Sequence, residues 1–267
     1  MADRVVKEAV GVRPSDDPPA FPGGPGRTGD TDQYRAVDLI ADGVRGVPPE
    51  QVPARLCEVA VRLLPVTGAS ASLRSGGVPV RLCASDERTG RLAEIQATLG
   101  EGPCVQAART GAPVLARDLT RGADASRWPV YAQQVTAAGV RAVYALPLGT
   151  DALCVGTLDL YRDTPGVLTP AELGTARLVA GILTVALMAL PREDEHDRAD
   201  GASWLNGLAT GHDEVYQAVG MIMAQLGVGT DEALARLRAH AFAGDRTVRE
   251  AAQEVLAYRH RFDTEDG

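Results

Sequence analysis

Apolar residues between positions 215 and 256 recur at the three- and four-residue spacing that is typical of amphipathic helices. The pattern divides into three segments: Gly227 follows the first, Thr230 opens the second as its cap, and Thr247 with Glu250 forms a capping box at the third. The apolar positions of the three segments are Val215, Ala218, Val219, Ile222, Met223, Leu226, Leu234, Leu237, Ala241, Val248, Ala251, Ala252, Val255 and Leu256. The pattern predicts a compact bundle of three short helices.

Upstream of this bundle, from about residue 33 to residue 191, the chain alternates between helical and strand periodicity. Helical spacing is found over about residues 37–44, 52–63, 87–99, 103–110 and 129–138. Two-residue alternation or short apolar runs are found over residues 69–74, 78–84, 114–117, 142–148 and 153–161. Strands gathered into one antiparallel sheet, with helices at both ends of the segment, predict an α+β architecture.

A longer helix is predicted from about Glu172 to Leu190, and it is apolar on more than one face. Steps of three and four residues along it produce the seam of a two-stranded coiled coil. The seam residues are Leu173, Ala176, Ala180, Leu183, Leu187 and Leu190. One interpretation buries the helix wholly against its own sheet. We favour the other, in which it also packs on a second copy, and therefore predict a homodimer.

The composition of the remaining segments separates the two folded parts. Residues 1–32 are rich in Pro, Gly and Asp without any apolar period, which predicts a disordered tail. Residues 192–203 form a charged linker, and residues 263–267 form a second short tail. The sequence therefore predicts an α+β domain over residues 33–191 and a helical domain over residues 204–262.

The whole chain is acidic, with a formal net charge of −8 over 267 residues. This charge argues against indiscriminate adhesion to nucleic acids or membranes. Lys7 is the only lysine among 27 basic residues, a bias typical of GC-rich coding sequences, so the abundance of arginine is weak support for phosphate binding. No segment approaches the roughly twenty apolar residues that span a bilayer, and the N-terminus lacks an export signal. We therefore expect a cytoplasmic protein.

The amino-acid sequence of the predicted bundle resembles the ANTAR domain of transcription antitermination regulators. The matching residues are Gln217-Ala218-Val219-Gly220-Met221-Ile222-Met223, Leu226-Gly227-Val228, Asp231-Glu232-Ala233-Leu234, Leu237-Arg238, Ala241-Phe242, Asp245-Arg246 and Ala252. The resemblance implies a domain that binds paired stem-loops of a nascent transcript as a dimer and stabilises them against a terminator hairpin. It assigns to the RNA-binding face Gln217, Ala218, Gly220, Arg238, Arg246 and Arg249. Val219 is a departure, because many members carry a basic residue there.

Charge alone does not favour RNA binding by the predicted bundle. Residues 215–261 contain six arginines against five carboxylates, whereas a binder that relies on phosphate contacts is expected to be more basic. The arginines are also consistent with an ordinary solvated face. If RNA is bound, recognition of loop bases by a few side chains is expected to contribute more than bulk attraction.

Short motifs of the α+β domain resemble the GAF domains that are fused to ANTAR in actinobacterial regulators. They are Leu99-Gly100-Glu101-Gly102-Pro103-Cys104, Gly111-Ala112-Pro113-Val114, Asp118-Leu119, Arg127-Trp128-Pro129, Gly139-Val140-Arg141-Ala142, Leu146-Pro147-Leu148 and Gly156-Thr157-Leu158-Asp159-Leu160-Tyr161. The resemblance implies a sensory or dimerising module. The asparagine-lysine-phenylalanine-aspartate-glutamate motif of cyclic-nucleotide-binding GAF domains is absent from the sequence, so cyclic GMP is not the expected ligand.

By the same resemblance, a small molecule would bind between the sheet and the connection from Glu87 to Gly139. The residues expected to line that site are Trp128, Tyr131, Tyr144 and Asp159. An alternative exists for the aromatic residues, because Trp128 and Tyr144 are large amphipathic side chains that can simply close a core.

The four cysteines, Cys57, Cys83, Cys104 and Cys154, include no C-x-x-C pair and no nearby histidine, so neither a metal site nor a disulfide framework is predicted. Cys104 falls in the first turn of a predicted helix, where the dipole can stabilise a thiolate and support redox sensing. Inert packing as a small hydrophobe is the alternative. A GAF enzyme that reduces methionine sulfoxide needs two close cysteines, and Cys83 with Cys104 is the pair to examine.

No paired carboxylates, nucleophile–base set or phosphate-cradling glycine loop can be placed in either domain, so we expect neither an enzyme nor a bound cofactor. The sequence is interpreted as a cytoplasmic, homodimeric regulator in which a GAF sensor controls an RNA-binding ANTAR bundle. The alternative is a small-molecule or redox-sensing receptor whose bundle serves protein docking or dimerisation.

Overall fold

The structure, a computed structural model, describes residues 27–75, 78–150, 153–189 and 213–262. Its helices are α1 (Arg27–Val44), α2 (Val52–Leu63), α3 (Glu87–Leu99), α4 (Pro103–Thr110), α5 (Gly122–Arg127), α6 (Pro129–Ala137), α7 (Pro170–Ala189), α8 (Asp213–Leu226), α9 (Thr230–Ala243) and α10 (Val248–Leu256). Its strands are β1 (Gly68–Ser75), β2 (Val78–Ala84), β3 (Val114–Ala116), β4 (Ala142–Thr150) and β5 (Leu153–Arg162).

The five strands form one antiparallel sheet in the order β2-β1-β5-β4-β3. Along each strand successive side chains point to opposite faces, and helices cover both faces. On β4, Tyr144 and Leu146 pack with α2 and α7, while Val143 and Ala145 pack with α4 and α6. The predicted α+β architecture is therefore confirmed as an antiparallel sheet between two helical layers.

The helices of this domain begin and end where local sequence permits. Asp86 caps α3 by accepting a hydrogen bond from the Thr89 amide at 2.8 Å, and Gly100 ends the helix with a φ of 67°. Pro103 opens α4, and Gly111 ends it with a φ of 65°. Both glycines occupy the left-handed region that other residues avoid, which explains the sharp return of the chain after each helix.

The amino-terminal boundary differs from the prediction. Helix α1 begins at Arg27, so residues 27–32, which were assigned to a disordered tail, are helical. No proline lies between Pro25 and Pro48, so the amphipathic helix that buries Ala36 and Ile40 can extend upstream. The rest of the predicted tail, the linker over 192–203 and the tail over 263–267 lie outside the described residues.

Helices α8, α9 and α10 form the predicted bundle around an apolar core that includes Val215, Ile222, Leu237 and Val255. The capping box is present, because the Thr247 hydroxyl accepts from the Glu250 amide at 3.1 Å and the Glu250 carboxylate accepts from the Thr247 amide at 2.8 Å. The expected cap at Thr230 is wrong: Gly229 is the N-cap and Thr230 is the first helical residue.

Helix α7 packs into its own domain along the predicted dimer seam. Ala176, Ala180, Leu183 and Leu187 are buried in the core between α2 and the sheet, and Leu173 packs at its edge. Leu190 lies outside the described residues. The seam is therefore not free to form a coiled coil, since the sheet already covers it.

The expectation that no segment is long and apolar enough to span a bilayer is wrong for α7. Pro170–Ala189 passes that test by length and composition. Its buried stripe includes Val179 and Leu183, which contact the core of the α+β domain. This packing is what the core helix of a globular domain requires.

Candidate RNA interface and buried polar site

The helical bundle docks on the carboxyl-terminal end of α3. Ala97 is only 4% exposed and lies within the apolar core of the bundle. The Arg238 Nε atom donates a hydrogen bond to the Ala97 carbonyl at 3.1 Å, and the Val248 amide donates to the Thr98 hydroxyl at 3.0 Å. The second bond satisfies one of the amides that a helix leaves unpaired at its first turn. The α+β domain thus supplies part of the cap of α10.

Arg238 is half-buried at this interface. Burial lowers the pKa of its guanidinium below the usual value, although arginine remains charged. Its Nη2 atom is buried without a hydrogen-bond partner among the described residues. A side chain added at Gly100 would reach within 2.6 Å of the Arg238 Nη1 atom, so glycine at the end of α3 leaves room for the guanidinium. Arg238 is therefore an interdomain contact here.

The other two arginines assigned to the RNA face are also engaged within the chain. Arg246 forms an ion pair with Glu254 and lies 3.2 Å from the His240 Nε2 atom. Arg249 pairs with Glu214 of α8, with 3.2 Å between Nε and Oε2. Both pairs are partly exposed, and exposed ion pairs contribute little to stability. In this arrangement both arginines are therefore paired with carboxylates of the bundle.

A cleft of about 120 Å³ separates the two domains beside Arg246. One wall is formed by Arg91, Glu94, Ile95, Thr98 and Gln134 of the α+β domain, and the other by Phe242, Asp245, Arg246 and Thr247 of the bundle. Phe242 is 51% exposed. The cleft shows that the domains meet tightly at Ala97 and less tightly at the turn between α9 and α10.

The α8 positions assigned to RNA separate into two groups. Gln217 and Gly220 are exposed, and a side chain added at Gly220 would meet nothing within 4 Å. Ala218 is wholly buried in the bundle core, so it shapes the helix packing and cannot touch RNA directly. Ala218 is therefore not accessible to RNA, and Arg238 is partly covered by α3 in this arrangement.

A second concentration of polar groups is buried on the α4 and α6 side of the sheet. Thr157, Asp159 and Tyr161 point there from alternate positions of β5. They meet Gln96 of α3, Cys104 of α4 and Tyr131 of α6, and all six side chains are buried. The Thr157 hydroxyl lies 3.4 Å from Asp159 Oδ2, and Ser70 lies 3.3 Å from the Tyr161 hydroxyl. We call these six residues the buried polar site.

Burial raises the pKa of Asp159 to about 7, although the Thr157 hydroxyl and the Cys104 thiol favour its charged form. Burial also raises the pKa values of Tyr131 and Tyr161 well above the usual value. A carboxyl group removed from water favours its neutral form unless a partner compensates. The protonation of Asp159 can therefore change near neutral pH.

Three polar atoms of the buried polar site have no hydrogen-bond partner among the described residues. They are Gln96 Nε2, Tyr131 Oη and Asp159 Oδ1. Unpaired buried polar groups are costly, and in native proteins they usually meet water or a ligand. Gln96 Oε1 does accept from the Cys104 amide at 2.8 Å, which joins α3 to α4. The site can offer both donors and acceptors to a small polar molecule.

The four residues expected to line a ligand site fall on both faces of the sheet. Tyr131 and Asp159 belong to the buried polar site, and Trp128 is buried in the adjoining core with the Arg127 guanidinium 5.0 Å from its ring centroid. Tyr144 lies on the opposite face, in the core beside α2 and α7. Its hydroxyl donates to the Gly166 carbonyl at 3.0 Å. Tyr144 therefore closes a core and cannot line the same site.

A cleft of about 210 Å³ opens beside the buried polar site. It lies between α4 and strands β1, β2 and β5, and Thr157 belongs both to its lining and to the buried polar site. Arg74 and Arg109 contribute guanidinium groups to the lining, which contains no carboxylate. Through Thr157 the cleft adjoins the buried polar site.

The cysteines are arranged differently from the prediction. Cys104 does lie in the first turn of α4, but it is only 1% exposed, and burial followed by the charge of Asp159 raises its thiol pKa well above the usual value. A dipole-stabilised thiolate is therefore not found. Cys83 approaches Cys57, with 3.5 Å between the sulfur atoms, and not Cys104. No group of three His, Cys, Asp or Glu side chains suited to a metal ion occurs within the described residues.

Several residues of the buried polar site and of the interface between the domains were not predicted from the sequence. Thr157 and Tyr161 alternate with Asp159 on β5, a spacing that could have placed all three on one face. Gln96 also carried a signal, because it follows Leu92 by one helical turn on the inner face of α3. Ala97 and Thr98 carried none, since they contact residues about 140 to 150 positions later in the chain.

Solved structures that resemble part of the chain include GAF domains of two phosphoenolpyruvate-protein phosphotransferases. The Acinetobacter domain is 10% identical, with a TM-score of 0.47 and coverage of 62% of this chain and 99% of that chain. The Coxiella burnetii domain is 14% identical, with a TM-score of 0.47 and coverage of 59% and 94%. A free methionine-R-sulfoxide reductase from Neisseria meningitidis is 15% identical, with a TM-score of 0.43 and coverage of 62% and 94%.

A comparison with curated proteins finds no match. A model of the GAF domain family matches residues 48–187, more than half of the chain, and a model of the ANTAR domain family matches residues 207–256. The two matches fall on the sheet domain and on the helical bundle. The chain therefore belongs to the GAF domain family and, because an ANTAR domain follows, is a regulator of the GAF-ANTAR type.

Proposed function

We propose that this regulator is an RNA-binding antitermination factor whose ANTAR bundle binds paired stem-loops in nascent transcripts. The observation that carries the proposal is the docking of the bundle on α3, where Arg238 contacts the Ala97 carbonyl. An arginine of the assigned RNA face is thereby partly covered by the GAF domain. This arrangement gives a sensor domain direct control over an RNA-binding surface.

Helix α3 connects the two sites because it contributes to both. Gln96 belongs to the buried polar site, and the next two residues, Ala97 and Thr98, contact the bundle. A ligand that binds at the buried polar site and moves Gln96 by a fraction of a helical turn must also move Ala97. The ligand then acts by changing the relative stability of the docked and undocked states.

We propose a small polar molecule as the signal, because three buried polar atoms of the buried polar site have no hydrogen-bond partner among the described residues. The protein acts by binding and not by turnover in this proposal.

Assembly is proposed to be homodimeric in the cytoplasm. The described side chains best placed for a dimer contact are exposed and apolar on neighbouring helices: Val37 and Leu39 on α1, with Val185 and Met188 on α7.

The test is a titration of a paired stem-loop RNA at fixed salt with variants that separate docking from RNA contact. Ala97→Glu places a charge within the apolar interface and should release the bundle, so RNA affinity should rise by about tenfold or more. Arg238→Ala in that background should lose roughly ten- to hundredfold, the effect of one arginine contact. Arg259→Ala, an exposed arginine near the end of the chain, is the matched control and should change little.

Protein docking by the bundle is the second candidate function. It is favoured by the nearly balanced charge of the bundle and by the engagement of Arg246 with Glu254 and of Arg249 with Glu214. Equal RNA affinities for all variants, or no preference for stem-loops over unstructured RNA, would support it in place of RNA binding. Circular dichroism must first establish that each variant keeps its helicity.

A further inference from the structure

Two cysteines from distant parts of the GAF domain face each other beside the sheet. Cys57 lies on α2 and Cys83 on β2, 26 positions later, and their sulfur atoms are 3.5 Å apart. Cys57 is fully buried, while Cys83 is partly exposed. A disulfide bond needs a sulfur separation of about 2 Å, so the two sulfur atoms must approach each other by about 1.5 Å to join.

An irregularity in the sheet places Cys83 on this face. Ala71 of β1 pairs with Cys83, but its neighbour Ser72 pairs with Arg81, so Leu82 has no direct partner in the register. Such a bulge shifts the alternation of side chains along the bulged strand by one residue. Ala71 points into the α2 side of the core, and Cys83, directly opposite it, points the same way. The bulge therefore brings the Cys83 sulfur toward α2.

The remaining cysteines do not have this arrangement. Cys104 is buried on the other face of the sheet, beside Asp159. The Cys154 thiol lies 3.2 Å from the Gly156 carbonyl and has no cysteine partner among the described residues. Cys57 and Cys83 thus form a dithiol with one accessible and one sheltered member.

We propose that Cys57 and Cys83 are a redox-active pair that forms a reversible intramolecular disulfide by exchange with a low-molecular-weight disulfide such as oxidised glutathione. The Cys83 thiolate attacks one sulfur of the oxidant, forming a mixed disulfide and releasing one glutathione thiolate. Cys57 then loses its proton and attacks the Cys83 sulfur, which releases the second glutathione. Two protein thiols are oxidised, one glutathione disulfide is reduced, and two glutathione thiols are formed.

The two members have different roles because their surroundings differ. Cys83 is the accessible member and meets the oxidant first. The hydrogen-bond contact with Cys83, followed by burial, raises the pKa of the Cys57 thiol well above the usual value. Cys57 is therefore a poor nucleophile toward molecules in solution, but its attack on Cys83 is intramolecular and needs no approach. The second step should accelerate as pH rises.

A disulfide here would tie α2 to the edge strand β2. Helix α2 also packs on α1 and α7, so the bond would stiffen the helical layer on one face of the sheet. Closing a loop of 26 residues by a disulfide restricts the unfolded chain. Oxidised protein should have a Tm higher by on the order of 5 to 10 °C than reduced protein.

The experiment equilibrates the full chain with mixtures of reduced and oxidised glutathione, then measures free thiols and intact mass. Wild type should change from four free thiols to two, without a glutathione adduct, and return to four when reduced glutathione is restored. Peptide mapping should recover a peptide pair that links Cys57 to Cys83. A different linkage, or protein that keeps four thiols throughout, overturns the proposal.

Two variants test the assigned roles. Cys57→Ala should retain a glutathione adduct on Cys83, because the resolving thiol is missing. Cys83→Ala should keep Cys57 reduced, since Cys57 is sheltered. Cys154→Ala is the control: it should form the same Cys57–Cys83 linkage as wild type and change from three free thiols to one. An adduct that persists on wild type as strongly as on Cys57→Ala contradicts the pairing, and peptide mapping of wild type decides the matter if Cys57→Ala does not fold.

Discussion

At the residue scale, Asp159 is the clearest case of a side chain whose environment sets its chemistry. It points into a closed layer between β5 and the helices α3, α4 and α6, beside Thr157, Cys104, Tyr131, Tyr161 and Gln96. None of these neighbours is a cation. The pKa of the Asp159 carboxyl group in the folded protein is therefore about 7, whereas in the unfolded chain it has its ordinary value of 3.8.

Asp159→Asn should remove a pH dependence from stability. The folded-state pKa of about 7 lies above the reference value of 3.8, so between these two values the folded protein binds the additional proton. Wild-type stability should therefore fall as pH rises through that window and become level above it. Asn cannot ionise, so the variant should be more stable than wild type at pH about 8 by on the order of a few kcal/mol.

Urea unfolding from pH about 5 to pH about 8 measures this difference. Asp118→Asn is the control, because the Thr120 hydroxyl and amide lower the pKa of that carboxyl group. The ionised Asp118 carboxyl group stabilises the folded protein, and this contribution is lost only at a pH below its ordinary pKa of 3.8. The plot of stability against pH for Asp118→Asn should therefore run parallel to that of wild type between pH about 5 and pH about 8. If the curve for Asp159→Asn also runs parallel to wild type, Asp159 is charged in the folded protein throughout.

The residue scale also shows where sequence reasoning ends. The capping box at Thr247 and Glu250 could be predicted because both partners lie within one helical turn. The face occupied by Tyr144 could not, because β4 is apolar on both sides and alternation does not distinguish them. Arg238 could be placed on a helix, but not against Ala97, since nothing local marks a contact across 141 positions.

At the element scale, α7 illustrates how one pattern permits two structures. Steps of three and four residues describe a helix that faces a partner helix and equally one that faces its own sheet. The structure places Ala176, Leu183 and Leu187 against the sheet and α2. The exposed side of α7 carries Val185, which is 68% exposed, and Met188, which is 37% exposed. A dimer contact through α7 must use this outer side.

Two pairs of substitutions on α7 should have opposite consequences. Leu183→Lys with Leu187→Lys would bury unpaired charges within the GAF core, so the domain should unfold and not merely dissociate. Val185→Asp with Met188→Asp places charges on the outer side, where water can solvate them in a monomer. This second pair should keep the fold and convert a dimer into monomers.

Light scattering at micromolar concentration, together with circular dichroism, distinguishes these outcomes. A wild type that is monomeric under those conditions would contradict the proposed homodimer. A dimeric wild type whose Val185→Asp and Met188→Asp variant is also dimeric would place the contact elsewhere than α7. The Leu183→Lys and Leu187→Lys variant serves as the reference for loss of the domain core.

At the scale of the whole molecule, α3 is the element that makes two domains into one regulator. Its inner face contributes Gln96 to the buried polar site, and its carboxyl-terminal end contributes Ala97 and Thr98 to the bundle interface. Coupling between two sites requires an element whose position affects both. Because coupling is reciprocal, an RNA that binds the Arg238 side chain must also weaken the contact of the bundle with α3.

Thr98→Val tests this coupling from the GAF side, at a residue that is not among those assigned to the RNA-binding face. Valine keeps the shape of the side chain but cannot accept the hydrogen bond of the Val248 amide, and an unpaired buried amide costs about 1 to 3 kcal/mol. The docked state should lose stability by a similar amount. Hydrogen exchange at the first turn of α10 should accelerate, and affinity for a stem-loop RNA should rise.

Thr110→Val is the matched control, because its hydroxyl lies at the exposed end of α4 and bonds the Gln106 carbonyl at 3.0 Å. It should change neither exchange at Val248 nor RNA affinity. Stem-loop RNA added to wild type should itself accelerate exchange at α10, since binding through Arg238 and docking on α3 exclude each other. Faster exchange in Thr98→Val without tighter RNA binding would mean that the interface holds the domains together but does not restrain the RNA-binding surface.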